Sequence, residues 1–588
     1  MIKIYKVLIL LAFAVVLLLP ADKANAITSY GSAVNINVNT EYKGTLPSSS
    51  TDHFYKFTIP ANGKVELTIK NVPGAKWSGK IVNSQGTTID TVTSENGSFA
   101  NGWNKTFTGL AAGTYYAVIE NYSSAVGKPY AFSVDYTTGN YYEKEQNNTL
   151  TTANQIEVNK QYEGVIHDYN DEDFYKFTLH QSGNVKFSMN NVPHAKWYAR
   201  LYNSNGDKYA EFYTNDSELV LGKSAIEVGL PKGTYYIKIN NYTSSVDVPY
   251  KMTVGFTKSD LYEKEFNNTV ATATSFKLNN SYKGSLQGYN DTDFYKFTLN
   301  GAGNVNLSMS TLEGASWRVL IQNAKGVIVE SFTTKHTGVT SKVATVNVGL
   351  PKGTYYVNIS NSTSTIYKPY TLKINFKASS NGYEKEPNNT FTTATPIPLN
   401  TTVNGVINNH SSDKDYYKFV VPASGNMKFS LPQKPGISWY YTVYDSKGNR
   451  ISSGYTNGND FAKGFWTSTL YLKKGTYYFY VSNSNNSRLV PYTVKISQTT
   501  ATPAAKNVVI KNNKGKADTI TVKGVKKGST IKVYNSKSKQ IASVKAKGTT
   551  ATLTVKQLGK QAGKVYVTVQ EPGKLVSARR TVNFARER

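Results

Sequence analysis

The sequence predicts an all-β chain, a string of repeated β-sandwiches followed by a smaller immunoglobulin-like one. Three observations carry this reading. Apolar and polar residues alternate with period two, heptads and long 3.6-residue stripes are missing, and one set of landmarks recurs four times in fixed register.

The landmarks set the units. Phe54-Tyr55-Lys56-Phe57 returns as Phe174-Tyr175-Lys176-Phe177, Phe294-Tyr295-Lys296-Phe297 and Tyr416-Tyr417-Lys418-Phe419, at spacings of 120, 120 and 122 residues. Trp77, Trp197, Trp317 and Trp439 keep that register, as do the Gly-Thr-Tyr-Tyr runs at Gly113, Gly233, Gly353 and Gly475. Within a unit, Tyr175, Phe177 and Leu179 alternate with Lys176 and Thr178, the pattern of a strand with one buried face. Val185, Phe187 and Met189 repeat it after a Gly183-Asn184 turn, and Asn205-Gly206 and Lys232-Gly233 mark further turns. Short alternating strands around one Trp predict a sandwich, with that Trp and most of the tyrosines in its core.

The organisation that follows is a signal peptide over 1–26, repeat units over 27–138, 139–258, 259–378 and 379–498, and a basic block over 505–588. Lys3 and Lys6, the apolar run Val7 to Leu19, and Ala24-Asn25-Ala26 have the layout of a cleavable secretory leader. No later segment is apolar enough to span a bilayer, so no transmembrane segment is expected once the leader is removed. The Thr499–Ala505 stretch precedes the last block, where Ile531-Lys532-Val533-Tyr534 and Val565 to Val569 alternate again.

Charge and cysteine narrow the function. The chain has no cysteine, which excludes disulfides, thiolate zinc sites and a cysteine nucleophile. Its net charge of +29 is concentrated in residues 501–588, where 20 Lys/Arg face three acids, Asp518, Glu571 and Glu587. Such a field either attracts an anionic polymer, such as wall teichoic acid or acidic polysaccharide, or simply keeps a surface solvated. Nothing points to sequence-specific nucleic-acid recognition.

One acidic motif stands ahead of units two, three and four. It reads Glu143-Lys144-Glu145-Gln146-Asn147-Asn148, Glu263-Lys264-Glu265-Phe266-Asn267-Asn268, and Glu384-Lys385-Glu386-Pro387-Asn388-Asn389. About 25 residues later come Asp168 to Asp173, Asn290 to Asp293, and Ser412 to Asp415, each just before the aromatic strand. In an extended segment, Glu-x-Glu-x-Asn points alternate oxygens to one side, and calcium takes six to eight oxygen ligands. On spacing alone the motif is either half of such a shell or a solvated linker ending in a turn.

With the landmarks in this order, each unit resembles the bacterial pre-peptidase C-terminal domain, the class that includes the collagen-binding domains of clostridial collagenases. The resemblance runs through residues 27–498 and rests on Glu-Lys-Glu-x-Asn-Asn, Asp-[Phe/Tyr]-Tyr-x-Phe and Gly-Thr-Tyr-Tyr. It implies jelly-roll-like sandwiches and calcium as the cofactor. The implied ligands are Glu143, Glu145, Asn147, Asn148 and Asp173 in unit two, and Glu263, Glu265, Asn267, Asn268 and Asp293 in unit three. Unit four supplies Glu384, Glu386, Asn388, Asn389 and Asp415. A second Asp of the family pattern is replaced by Asn170, Asn290 and Ser412, and neighbouring Asp171, Asp291 or Asp413 is its expected substitute. Unit one has no Glu-Lys-Glu and carries His53 where Asp belongs, so it is expected to bind no calcium. The family's collagen-binding tyrosine pair is half lost at Glu120/Tyr122 and Asn240/Tyr242, and wholly lost at Ser360/Ser362 and Ser482/Ser484.

No catalytic constellation is present in the sequence. The six histidines (His53, His167, His180, His194, His336, His410) form no His-Glu-x-x-His, and there is no Gly-x-Ser-x-Gly. Gly222-Lys223-Ser224 lacks the leading glycine of a phosphate loop. The expectation is a secreted, non-catalytic, calcium-dependent binding or scaffolding protein of the cell envelope or matrix, held to anionic wall polymer or polysaccharide or to an extracellular protein. The alternative is an accessory subunit of a separate secreted peptidase, in a targeting, chaperone or inhibitor role.

Overall fold

The computed structural model describes residues 29–588 except 124–125, 220–221, 244–245, 335–342, 363–365, 380, 408–412, 457, 460–463 and 484–489. The expected signal segment, His336, His410, Ser412 and Ser484 therefore lie outside the described residues. The described chain is almost wholly β, with two three-residue 3-10 turns, Tyr30–Ser32 and Ala505–Asn507, as its helical elements. It divides into two compact units, residues up to 258 without 228–231, and residues 228–231 with 259–588. The first contains two repeat sandwiches; the second contains two more and the C-terminal block.

All four repeats share one topology, seen well in the second. A five-stranded sheet runs in the order Asn154–Gln155, Glu172–Leu179, Gly233–Thr243, Lys196–Asn203, Lys208–Tyr213. It faces a four-stranded sheet ordered Gln161–Val165, Pro249–Lys258, Gly183–Asn190, Lys223–Leu230. Pairing is antiparallel except at one edge, where Asn154–Gln155 runs parallel to the aromatic strand. The expected alternation is obeyed: Tyr175, Phe177 and Leu179 are buried, and Lys176 and Thr178 point outward.

Trp77, Trp197, Trp317 and Trp439 are fully buried. Burial of each indole removes roughly 150–250 Å² from water, worth about 4 kcal/mol before ordering costs. Each packs on a tyrosine of the opposite sheet, as Trp197 does on Tyr250 with ring centroids 5.7 Å apart. That tyrosine's hydroxyl meets a second buried tyrosine from the five-stranded sheet, Tyr175, at 2.6 Å. The pair recurs as Tyr55–Tyr130, Tyr295–Tyr370 and Tyr417–Tyr492. It carries polarity into one end of an apolar core, and the acidic groups gather at that end.

The last block is a sandwich of a three-stranded sheet (Val508–Lys511, Asp518–Lys523, Thr550–Val555) and a four-stranded one (Gln540–Lys545, Thr530–Tyr534, Gly563–Gln570, Arg580–Phe584). Ile520, Val522, Ile531, Val533 and Val567 form its centre. The stretch before it is fastened: Thr500 N–H donates to Leu575 C=O at 2.9 Å, and Leu575 N–H donates to Gln498 C=O at 2.8 Å.

Candidate metal centres

Three elements converge at the acidic end of modules two, three and four. The linker is held extended beside the short edge strand, with the Lys144 N–H donating to Asn154 Oδ1 at 2.6 Å and the Lys264 and Lys385 N–H groups donating to Thr274 and Thr395 Oγ1, each at 2.9 Å. Its end is tied to the aromatic strand, where the Phe174 N–H donates to the Asn147 carbonyl at 3.1 Å. This tether places Glu143, Glu145 and Asn147 on the inner side and leaves Lys144 and Gln146 pointing away.

The result is a compact knot of carboxylates. Glu143, Glu145 and Asp173 each bring an oxygen within 4.8 Å of the others, as do Glu263, Glu265 and Asp293, and Glu384, Glu386 and Asp415. The first Glu of each motif is anchored at the rear, by the Val165, Ser285 and Val406 N–H groups at 2.8, 2.9 and 2.6 Å. The Asp on the strand accepts from the second tyrosine hydroxyl in every case, Tyr250 to Asp173, Tyr370 to Asp293 and Tyr492 to Asp415. Burial holds these acids above the ordinary carboxylate range, with Glu145 pushed up to about 9 and Glu384 up to about 8.

The donor set tests whether a hard cation fits. Buried oxygens without a hydrogen-bond partner accumulate here: Glu145 Oε1, Asn147 Oδ1 and Asp173 Oδ1 at module two, and Glu386 Oε1, Asn388 Oδ1 and Asp415 Oδ1 at module four. At module three they are Glu265 Oε1, Asn268 Oδ1 and Asp291 Oδ1. One amide atom of Asn267 lies 3.1 Å from Asp293 Oδ1 and 3.2 Å from Glu265 Oε2, where it either donates to both or joins them around an ion. Buried acceptors left unpaired cost about 1–3 kcal/mol each, and more when charged. Oxygen-only donors suit calcium. The residues fit the ion.

The remaining expected ligands divide. Asn148 is exposed, whereas the Asn389 side chain accepts from the Lys414 N–H at 2.7 Å and so buttresses the loop. Asn170 and Asn290 are exposed, while Asp171, Asp291 and Asp413 are buried at the cluster, each raising the proton affinity of the neighbouring acids. Asp171, Asp291 and Asp413 are thus the acids that this loop brings to each cluster. In module one, His53 takes the register position of Asp173, and its Nδ1 bonds the Tyr130 hydroxyl at 2.5 Å.

Several contributors were not legible. Gly164, Gly284 and Gly405 make room for the first Glu and the tyrosine pair; a Cβ at Gly405 would lie 2.6 Å from both Glu384 Oε2 and Tyr417 Oη. Gly109 and Gly349 seat the linker backbone, a Cβ there falling 1.6 and 2.0 Å from the carbonyl oxygens of Glu143 and Glu384. Glycine recurrence in the repeats was the available signal. His167 is a third surprise: its Nδ1 lies 3.2 Å from Asp90 and 3.5 Å from Asp247, and its Nε2 lies 3.8 Å from Glu145. Burial alone would lower its affinity for a proton, but Asp247, Asp90, Glu145 and Glu143 hold the imidazolium to about 9.

The tyrosines are not all core. Tyr242 is 56% exposed and packs on Tyr213 (4.6 Å), which stacks on Tyr198 (4.5 Å), with Lys196 over Tyr213 and Tyr242. Tyr440 and Tyr455 make a similar pair on module four at 5.0 Å. Glu120 and Asn240, the lost halves of the tyrosine pairs, are instead engaged by Lys80 and Arg200.

Comparison with known proteins finds a likeness to collagenases. Over 190 residues the chain is 28% identical to collagenase ColA of Clostridium perfringens, covering 31% of this chain and 17% of that protein. It is 25% identical to collagenase ColT of Clostridium tetani over 190 residues, 30% of this chain and 19% of the collagenase. The modules resemble pre-peptidase C-terminal domains. A solved domain of that type, from the collagenase of Bacillus anthracis, is covered over 99% of its length by 20% of this chain, at 22% identity and a TM-score of 0.15. The chain thus spans about a fifth of the curated relatives it matches. A β-glucuronidase of Ruminococcus gnavus also aligns, over 29% of the chain with a TM-score of 0.13. No protein-family profile matches the chain. Among the described residues, no helix is long and apolar enough to cross a membrane.

Proposed function

We propose that the chain is an extracellular, non-catalytic binding or scaffolding protein whose modules two to four each take a calcium ion at the linker. The ligands are Glu143, Glu145, Asn147, Asp171 and Asp173, and their counterparts in modules three and four. The observation that carries this is the set of buried oxygens with no hydrogen-bond partner, repeated in three modules on the same elements. Binding is supported by the likeness to a non-catalytic domain type, and by the tyrosine-lysine surface of module two.

The basic C-terminal sandwich is the proposed contact with an anionic wall polymer or polysaccharide, since Lys523, Lys532 and Lys545 stand at outward positions of its strands. Calcium then sets the geometry of the linkers and the tail sets the attachment. The kinship with collagenases also supports a second reading, an accessory subunit acting beside a separate peptidase. Calorimetry with calcium or a chelator tests the first proposal, together with limited proteolysis of the linkers. A protein whose melting temperature and cleavage pattern are both indifferent to calcium overturns it. Copurification with a secreted peptidase would favour the second reading.

A further inference from the structure

An acid of module three stands beside the carboxylate cluster of module four. Glu330 lies on the strand Ile328–Thr333 of module three, opposite Ile321 in register, and its side chain is almost fully buried. One carboxylate oxygen accepts from the Ser331 N–H at 2.6 Å; the other, Oε2, is buried without a hydrogen-bond partner. The charges acting on it are those of Asp413 and Glu384, and it acts in turn on Glu386. No lysine, arginine or histidine is paired with it among the described residues.

Module one holds the same device in a different state. Asp90 has the equivalent register, opposite Ile81, and faces the acidic end of module two. Its oxygens are all engaged: Oδ2 accepts from Thr106 at 2.5 Å, Oδ1 from the Thr91 N–H at 2.6 Å, and His167 lies 3.2 Å from Oδ1. The His167 imidazole thus stands between Asp90 of one module and Glu145 of the next, 3.2 Å from the first and 3.8 Å from the second. At the corresponding position module two has Ala210, opposite Leu201, which has no carboxylate to offer. Module four has Ser452 there, opposite Val443.

We propose that Glu330 is a further carboxylate of the module-four cation site, donated by module three, so that the ion ties two sandwiches together. The inference rests on the reading of Glu384, Glu386 and Asp415 as ion ligands. The physical reason is charge balance: a buried, unpaired carboxylate beside an acidic cluster must either take up a proton or be neutralised by a cation, and a bound ion would serve Glu330 and the module-four acids together. At module two the His167 imidazole lies against the equivalent acid; at module four no cationic side chain among the described residues is paired with Glu330.

The test uses the full chain with Asp173→Asn and Asp293→Asn, which leaves module four as the acidic site with its carboxylates intact. Calcium binding is followed by calorimetry, and metal-free stability by thermal unfolding in chelator. Adding Glu330→Gln is expected to weaken calcium binding by about ten- to a hundredfold while raising the metal-free melting temperature, because a buried charge has gone. A residue of merely structural importance would lower both. The proposal is overturned if Glu330→Gln binds calcium within twofold of its parent, or if affinity and metal-free stability fall together. If the parent takes up no calcium at all, the underlying ion-site reading fails and the proposal falls with it; a binding parent with an indifferent Glu330→Gln sinks the proposal alone.

Discussion

His53 and Asp173, 120 residues apart, occupy the same register position in successive modules, and each is bonded to the tyrosine that crosses from the opposite sheet. In module one the imidazole ends the polar chain; in module two the chain continues into Glu143, Glu145 and Asp171. One side chain thus marks where a neutral polar cluster becomes an acidic one.

Substitution at this position is the simplest check. Asp415→Asn should reduce calcium affinity at module four by about ten- to a hundredfold and leave the metal-free protein as stable or more stable. His53→Asp should destabilise module one by about 1–3 kcal/mol, and calcium should not rescue it because no Glu-Lys-Glu precedes that module. Thermal unfolding with and without calcium measures both.

The pH dependence has a definite sign. Glu145 and Glu384 have folded-state values raised from 4.5 to about 9 and about 8. Groups raised in this way stabilise the metal-free fold fully below pH 4.5, and that contribution is lost as pH rises through about 8 to 9. Calcium needs the deprotonated form, so its stabilising effect should grow over the same window. Melting curves at several pH values, in calcium and in chelator, should therefore diverge upward from neutral pH; parallel curves would contradict the buried-acid account.

Gly405→Ala tests the close approach behind the first Glu. Its Cβ would meet Glu384 Oε2 and the tyrosine pair at about the length of a short hydrogen bond. The expected cost is roughly 1–3 kcal/mol, accompanied by loss of calcium uptake at module four with modules two and three unaffected. Stoichiometry by equilibrium dialysis reads this out.

Removal of residues 501–588 takes away 20 of the chain's 67 Lys/Arg. Retention on purified wall polymer should fall and lose its sensitivity to salt, since exposed charge is screened within about 8 Å at physiological ionic strength. Co-sedimentation at low and high salt decides it.

The fold was highly legible because its signals are local and repeated four times. Tyr175-Lys176-Phe177 declares a half-buried strand by itself, and Trp197 keeps register with it. Glu143, Glu145 and Asp173 were legible as one site because motif and strand each have a recognisable spacing. Glu330, His167 and Tyr213 were not, because their importance comes from contacts between segments far apart in sequence or between modules. Asn148 continues the motif in sequence, but it is exposed where Asn147 is buried, a difference that the spacing alone does not reveal.

The seats for the linkers have a consequence for how such a chain can be cut and rejoined. Gly109 receives the backbone of Glu143 and Gly349 that of Glu384, and at the matching place in module four stands Tyr471, too bulky for the role. The seats of the module-two and module-four linkers are therefore encoded in the module before them. A recombination point placed between sandwiches would separate a seat from its linker, whereas one placed inside a sandwich would carry a whole junction across. The unit that can be transplanted with its chemistry intact is offset by half a module from the unit that folds.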